Sequence, residues 1–397
     1  MIVKKNDSSK HIMVAGCHSI GALGAIRSLG RAGYIVHAVS ALSDAIGFFS
    51  NFAQYHETHP SENDSEFASW LETYIRTYQI ELIIPGGAIS PGGHPIIDKY
   101  MHLFPVKNNE IVMNMSRKYE LFQALLTGPE ECVDNLPPVI FIDFSKNLPS
   151  LSDLSKLRCP HFIKIDGAHS KENKGDQVIR LESASETLEC LENLSQYYNK
   201  VIVQGFVQGT GVGVFLLRWD NKIKMRSMHR RLHEMPHTGG ASSLRESWHH
   251  DRILEDAEIK LSYIGWEGVA MVEYRWNPLT DKFYLMEMNL RFWGSIHLSL
   301  YAGADFPKLL ANSFFGNKDI SIEEPRLGLR CRNTIPFEFG YLVSLWRDKN
   351  VPVSRKLYSI LEMVLLSIDF RVKNDLLFPG DRKVFWYRLK KFICTGR

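Results

Sequence analysis

YLMEMNLRFWGS, residues Tyr284 to Ser295, is the stretch on which the fold turns. Read with a strand's period of two, it puts Tyr284, Met286, Met288, Leu290 and Phe292 on one face. Leu285, Glu287, Asn289 and Arg291 fall on the other. The first is an ordinary core face; an acid, an amide and a guanidinium in succession opposite it call for a partner. The preceding run, GVAMVEYRWN, alternates too: Ala270, Val272, Tyr274 and Trp276 oppose Met271, Glu273 and Arg275. Between the runs, NPLTDK is turn sequence. If Asn277 pairs with Phe283, Glu273 stands opposite Glu287, and Asn289 lies on the same face. Opposed carboxylates repel, so a cation belongs between them. Two acids and an amide, with room for water and phosphate oxygens, suit Mg²⁺ better than zinc or calcium, with Mn²⁺ as the alternative ion. Arg291 lies one step further along, placed to meet a phosphoryl group or an acyl phosphate. A solvated polar face with an incidental salt bridge is the plainer reading, and the neighbouring motifs weigh against it.

The rest of the chain sets the bounds. At 397 residues it exceeds one ordinary core and predicts two or three domains. With 45% hydrophobic and 23% charged residues, it has the balance of a folded globular protein. A formal charge of +3 gives no argument for nucleic acid as a partner. The six cysteines are scattered, with no C-x-x-C pair, as expected of reduced thiols. The N-terminus lacks the apolar core of a signal peptide, and no run of about 18 apolar residues occurs, so the expected location is cytoplasmic.

Working outward, HIMVAGCHSIGALGAIRSLGRAGYIVHAVS predicts a strand around Met13, a helix from about Gly21 to Arg31 and a strand from Tyr34 to Val39. A helical stretch, Glu66 to Tyr78, and the strand in IELIIPGG follow, so this part is a parallel α/β sheet. Gly16, Gly21 and Gly24 do not make G-x-G-x-x-G, which favours a structural βαβ half over a dinucleotide site. Further on come a helix from Arg117 to Leu126 and a new α/β unit at VIFID. HFIKIDGAHSKENKGDQVIRL reads as strand, polar loop, strand, and VIVQGFVQGTGVGVFLLRW as two strands about a glycine-rich bend. From about Arg326 the pattern is helical, with Leu357, Ile360, Leu361, Val364 and Ile368 on one face.

In GWEGVAMVEYRWN…YLMEMNLRFWGS the chain resembles the C-terminal metal-binding core of the ATP-grasp superfamily, an acid on one strand and E-x-N-x-R on the next. RFWGS…AGADFP and HRRLHEMPHTGGASSLRES are similar to its carbamoyl-phosphate-synthase-like, carboxylate–amine ligase branch, often associated with cell-surface polysaccharide genes. The resemblance covers nearly the whole chain. It implies an α/β fold with α+β elements: a Rossmann-like pre-ATP-grasp domain at 1–112, an ATP-grasp domain at 113–325 and a helical extension at 326–397. The lid subdomain is expected at 139–202 and the catalytic subdomain at 203–325. The same resemblance implies that Glu273, Glu287 and Asn289 hold Mg²⁺ bridging the phosphates of ATP, and that Arg291 stabilises the transferred phosphoryl group. Lys118 and Lys164 correspond to phosphate-contacting lysines, the loop Asp166 to Asp176 to the lid, and Lys171 and Lys174 are its candidate phosphate partners. Gln204, Gly205, Phe206 and Val207 match the hinge whose backbone binds adenine. Gly211 departs from the family pattern, standing where an acid often meets the ribose, and leaves the choice between ATP and GTP open.

MHRRLHEMPHTGGASS is the other dense cluster. It reads as a loop gathering cationic and titratable groups, with His229 and Arg231 assigned to catalysis. Arg230, His233 and Glu234 are assigned to substrate, and Gly239, Gly240, Ser242 and Ser243 to an anion nest. The implied activity is ATP-dependent ligation of a carboxylate to an amine through an acyl phosphate. The rivals are carbamoyl or carboxy phosphate formation, and an ATP-binding sensor or scaffold without turnover. No biotin-carrier or glutaminase segment is visible to support the first. Expected partners are a small carboxylate, an amine and a second copy in a homodimer. Residues 371–397 carry eight Lys/Arg against two Asp, and Phe385, Leu389, Phe392 and Ile393 recur at helical spacing. That helix is expected either to pack on its own domain or to rest on an anionic membrane.

Overall fold

A computed structural model describes residues 10–172, 175–317 and 324–395. Three sheets organise them. The first is parallel, with strands β1 (His11–Val14), β2 (Ile35–Ser40), β3 (Tyr55–Thr58) and β4 (Leu82–Ile84) in the order β3-β2-β1-β4. Apolar runs make both inner β1, HIMV, and edge strand β4, LII, as a sheet flanked by helices requires. The helix Ile20–Arg31 crosses from β1 to β2, with the Ser19 hydroxyl accepting the Ala22 N–H. Its glycines serve packing rather than phosphate: a Cβ on Gly24 would lie 2.2 Å from the Ile296 side chain.

The second sheet is antiparallel: β5 (Val139–Asp143), β6 (His161–Ile165), β7 (Gln177–Leu181) and β8 (Lys200–Gln204), in the order β5-β8-β6-β7. Its core of Ile163, Ile165, Val201 and Val203 is closed by Leu191 from the helix Ala184–Leu194.

The third and largest sheet holds seven strands. They are β9 (Thr210–Trp219), β10 (Lys222–Met235), β11 (Ala241–Ser247), β12 (Gly268–Asn277), β13 (Lys282–Asn289), β14 (Arg330–Arg332) and β15 (Lys373–Asn374). Their order is β13-β12-β9-β10-β11-β14-β15. Period-two alternation gives it two faces. Val212, Val214, Leu216, Val272 and Tyr274 pack with the helices Lys118–Leu126 and Asp251–Tyr263. Phe215, Leu217 and Met271 pack with Trp293 and the crossover helix Ile20–Arg31. The parallel sheet is thereby fixed against one end of the large one.

Two expectations about the chain are corrected. β10 and β11 form a hairpin, so the cluster expected as a loop is mostly strand, with the turn confined to 236–240. The β12–β13 hairpin closes with Asn277 opposite Lys282 instead of Phe283, and a bulge at Met286 restores the pairing of Glu273 with Glu287. The bulge also changes the faces: Phe283 and Leu285 are core residues, whereas Tyr284 and Met286 are only half-buried.

Three helices, Phe339–Arg347, Val353–Ile368 and Lys383–Thr395, follow β14, with β15 between the second and the third. The last one packs on the chain itself. Val384 and Phe385 join Leu23, Ile46 and Leu376, and Tyr387 stacks on Phe49 at 3.5 Å.

Candidate active site

Glu273 and Glu287 face each other from β12 and β13, and Asn289 lies two residues beyond, its Nδ2 3.5 Å from Glu273 Oε1. Burial, and then the neighbouring Glu273 carboxylate, push the Glu287 carboxyl above the usual range, against the pull of Lys118, Lys164 and Arg291. The structure thus holds two carboxylates that resist sharing the site as anions. A divalent ion would relieve that repulsion, and the donor set, two carboxylates and an amide oxygen, fits Mg²⁺. Asn289 Oδ1 presently accepts from Arg291 Nη2 at 3.2 Å.

Lys118 opens the helix Lys118–Leu126 and lies 3.8 Å from Glu287 Oε1, 2.8 Å from Asp176 and 3.5 Å from Asp166. Burial lowers its pKa, but these three anions outweigh it and hold the ammonium above its usual range. Asp166 also accepts the Tyr119 N–H, and Asp176 accepts the Gly167 N–H at 2.8 Å. Both ends of the Asp166–Asp176 loop are therefore clamped to the N-terminus of this helix, an electropositive place suited to phosphate. Neither aspartate carried a role in the sequence reading; their only signal was their place as the two ends of the polar loop. Lys171 is turned away from the cleft, donating to the Ser195 carbonyl, and Lys174 lies outside the described residues.

On β6, Lys164 donates to the Met286 carbonyl, the residue extruded by the bulge. Burial pushes its ammonium down to about 8, with Glu287 opposing. Gln204, buried at the end of β8, reaches the Met286 sulfur at 3.5 Å. The bulge is thus where the four-stranded antiparallel sheet meets the large sheet. In the hinge, Gly205 and Phe206 donate their N–H groups to the Pro138 and Arg158 carbonyls, at 3.0 and 2.8 Å. Both amides are thereby taken up within the chain. Half-buried Val207 completes the segment.

A cavity of about 270 Å³ is lined by Lys118, Asp176, Glu287, Asn289 and Arg291. Its other wall is Pro85 to Ser90, beyond the carboxyl end of β4, where open parallel sheets bind ligands. Exposed Arg291 stands at its edge.

Strand alternation divides the β10 cluster. Arg231 faces the site: it pairs with Glu273, with Glu234 at 3.2 Å and with the Gly240 carbonyl at 2.8 Å. Arg230 faces away and binds Glu246, which removes it from the site. His229 lies on the Arg231 side, across Gly213 from Glu273. Two strand spacings separate the His229 and Glu273 backbones by roughly 10 Å. Burial, then Arg231 and Arg245, hold its imidazole far below the usual range, and its ring nitrogens have no partner among the described residues. His233 is drawn off by Tyr341, on which it stacks at 4.3 Å, and by Glu362 at 3.3 Å.

The expected anion nest is not formed. Gly239 donates its N–H to Pro236, the Gly240 carbonyl faces Arg231, and Ser242 and Ser243 belong to β11, where the hairpin ladder claims the backbone. Glu234 links Arg231 to Arg275, the latter at 3.2 Å. At Gly211 a Cβ would lie 2.5 Å from Glu234 Oε1, so a side chain there would have to displace that carboxylate. A second cavity, about 630 Å³, adjoins this triad and is lined by Arg231, Glu234, His237, Arg275, Tyr341 and Arg355. Arg275, on the polar face of its strand but without a role in the sequence reading, is one of its principal cations.

This arrangement of a four-stranded antiparallel sheet against a larger sheet with opposed acids is that of the ATP-grasp fold. The chain resembles biotin carboxylase from Campylobacter jejuni, seen in complex with β,γ-ATP, at a TM-score of 0.60 and 17% identity, over 81% of this chain and 74% of that one. It resembles N5-carboxyaminoimidazole synthetase from Staphylococcus aureus, complexed with ADP, at 0.60 and 15%, over 81% and 82%. L-amino acid ligase from Bacillus licheniformis matches at 0.56 and 15%, over 77% and 74%. Residues 198–335 match the family described as ATP-grasp in the biosynthetic pathway with Ter operon. No curated protein sequence matches the chain. The fold of the chain is therefore that of ATP-grasp proteins, and residues 198–335 are similar to one ATP-grasp family.

Proposed function

We propose that the protein is an ATP-dependent ligase that activates a small carboxylate as an acyl phosphate and joins it to an amine. One observation carries this reading: Glu287 and Asn289 share one cleft with Lys118 and Arg291, with Glu273 paired to Glu287 and Lys164 bonded to the adjacent Met286 carbonyl. Glu273, Glu287 and Asn289 would hold Mg²⁺, which supplies charge neutralisation at the phosphates. Lys118 and Lys164 bind and orient the phosphate chain, and Arg291 meets the transferred group at the cleft edge. The carbonyls of Gly205 and Phe206 meet the base, and the Asp166–Asp176 loop excludes water that would hydrolyse the acyl phosphate. Arg231, Arg275 and Arg355 around the second cavity suit the acid substrate, with Arg231 joining it to the metal acids.

In this reading 1–112 is the Rossmann-like domain, 113–325 the ATP-grasp domain and 326–397 the helical extension, and the reaction belongs in the cytoplasm with its ATP. Hydroxamate formation from Mg-ATP, hydroxylamine and pools of small acids tests it. Glu287→Gln should abolish the product; full activity in that variant would overturn the assignment of the metal acids.

A further inference from the structure

The helix Val353–Ile368 is packed inside out. Its docked side is largely polar: Lys356 donates to the Trp346 carbonyl at 3.1 Å, Glu362 meets His233 at 3.3 Å, and Ser367 accepts from Arg332 at 3.2 Å. Ser359 is its one fully buried residue. The apolar stripe read on one face of this helix in the sequence points outward. Leu357, Ile360, Leu361, Val364, Leu365 and Ile368 are 43 to 74% exposed. Phe370, two residues past the helix, is 88% exposed. Folded chains rarely leave so continuous an apolar face bare.

We propose that this face docks on the surface of an anionic lipid bilayer. Charge selects that occupant. Arg347 and Lys349 precede the helix, Arg355 lies in its first turn, and Arg371 and Lys373 follow it. Residues 339–395 hold eleven Lys/Arg against five Asp/Glu, in a chain whose formal charge is only +3. A second copy would bring the same cationic surround against itself, whereas acidic headgroups complement it. An apolar stripe bordered by Arg and Lys is the pattern of a helix lying in the interface. It lies on the membrane rather than through it: 16 residues span about 24 Å, short of a bilayer core, and among the described residues no helix is long and apolar enough to cross. The hairpin that carries it also borders the second cavity through Tyr341 and Arg355, so docking would set that cavity beside the headgroups. Of the two places the sequence left open for the terminal helix, its own domain or a membrane, Phe385 and Tyr387 anchor it to the chain.

Co-sedimentation of the full chain with vesicles of phosphatidylcholine alone, or with about a third phosphatidylserine, tests the proposal, with light scattering run in parallel. The protein should pellet with the anionic vesicles and not the neutral ones. Leu361→Glu with Val364→Glu should lower the bound fraction at least tenfold while leaving thermal stability and Mg-ATP binding unchanged. No pelleting, or equal pelleting of the double variant, would overturn the proposal. So would a dimer in solution that the same double variant dissociates, since a second copy would then be the occupant.

Discussion

At the scale of single residues, the site is built from charges held where they are disfavoured. Lys164 is an ammonium that burial pushes down to about 8. Holding it charged at neutral pH costs the fold on the order of 3 kcal/mol. The sign follows from the depressed pKa: the cost is complete below about pH 8 and fades as the pH rises toward the usual lysine range. Lys164→Met should therefore melt higher than the parent at pH 7 in differential scanning fluorimetry, with the gap closing toward pH 10. Mg-ATP affinity of the parent should move the other way, falling as the pH rises through 8 and the ammonium is lost; calorimetric titration at pH 7 and 9 checks this. Glu287 has the opposite polarity, an acid raised by burial and by Glu273. At pH 7 its charge opposes folding, and that penalty disappears as the pH falls through its raised pKa. Glu287→Gln should thus fold at least as stably as the parent at pH 7, and its advantage should shrink in acid, measured as melting temperature from pH 7 down to 4. A variant that loses activity without losing stability separates chemistry from folding.

At the scale of elements, the bulge on β13 explains both what the sequence disclosed and what it hid. Glu273, Glu287 and Asn289 were legible as one polar row because cross-strand partners share a face. The turn pairing was one residue off, and the bulge absorbed the difference, which period-two reading cannot detect because it assumes a regular strand. For the same reason Leu285 was assigned to the polar face although it is core. The β10–β11 hairpin was misread for another reason: proline and two glycines resemble a long loop, yet they occupy only a short turn. Once it is a strand, alternation alone separates Arg231 from Arg230. The bulge has its own consequence. Without Met286, Tyr274 opposite Leu285 and Glu273 opposite Glu287 would follow one another in a regular ladder, so the extra residue is not needed for pairing. Its carbonyl receives Lys164 and its sulfur receives Gln204. Deleting Met286 should leave the circular dichroism spectrum unchanged and weaken Mg-ATP binding at least tenfold by titration. A deletion that binds normally would remove Met286 from the nucleotide site.

At the scale of the whole molecule, the C-terminal segment is bound to the other sheets by buried ion pairs that no local pattern reveals. Arg27 on the crossover helix meets Asp381 at 2.7 Å, 354 residues away, and both side chains are fully buried. Asp381 also accepts from the Ser50 hydroxyl at 2.9 Å and the Asn51 N–H at 2.7 Å. Arg245 on β11 meets Asp375, and Arg332 on β14 meets Glu338, both pairs likewise buried. Desolvation makes such pairs poor sources of net stability, but removing one partner strands the other charge. Asp381→Ala should lower unfolding stability by about 3–5 kcal/mol in urea titration, since Arg27 would keep the carbonyls of Asp375 and Leu376, His297 and the Phe378 ring face but no opposite charge at hydrogen-bond distance. Arg27→Met with Asp381→Leu should recover part of that loss by replacing both charges with apolar groups. Recovery should stay incomplete, because Ser50 and Asn51 would still lack their acceptor. If the single variant unfolds at the parent's urea concentration, the pair does not join the C-terminal segment to the parallel sheet. The helix Val353–Ile368 would then owe its position to its own polar contacts with β10 and β14.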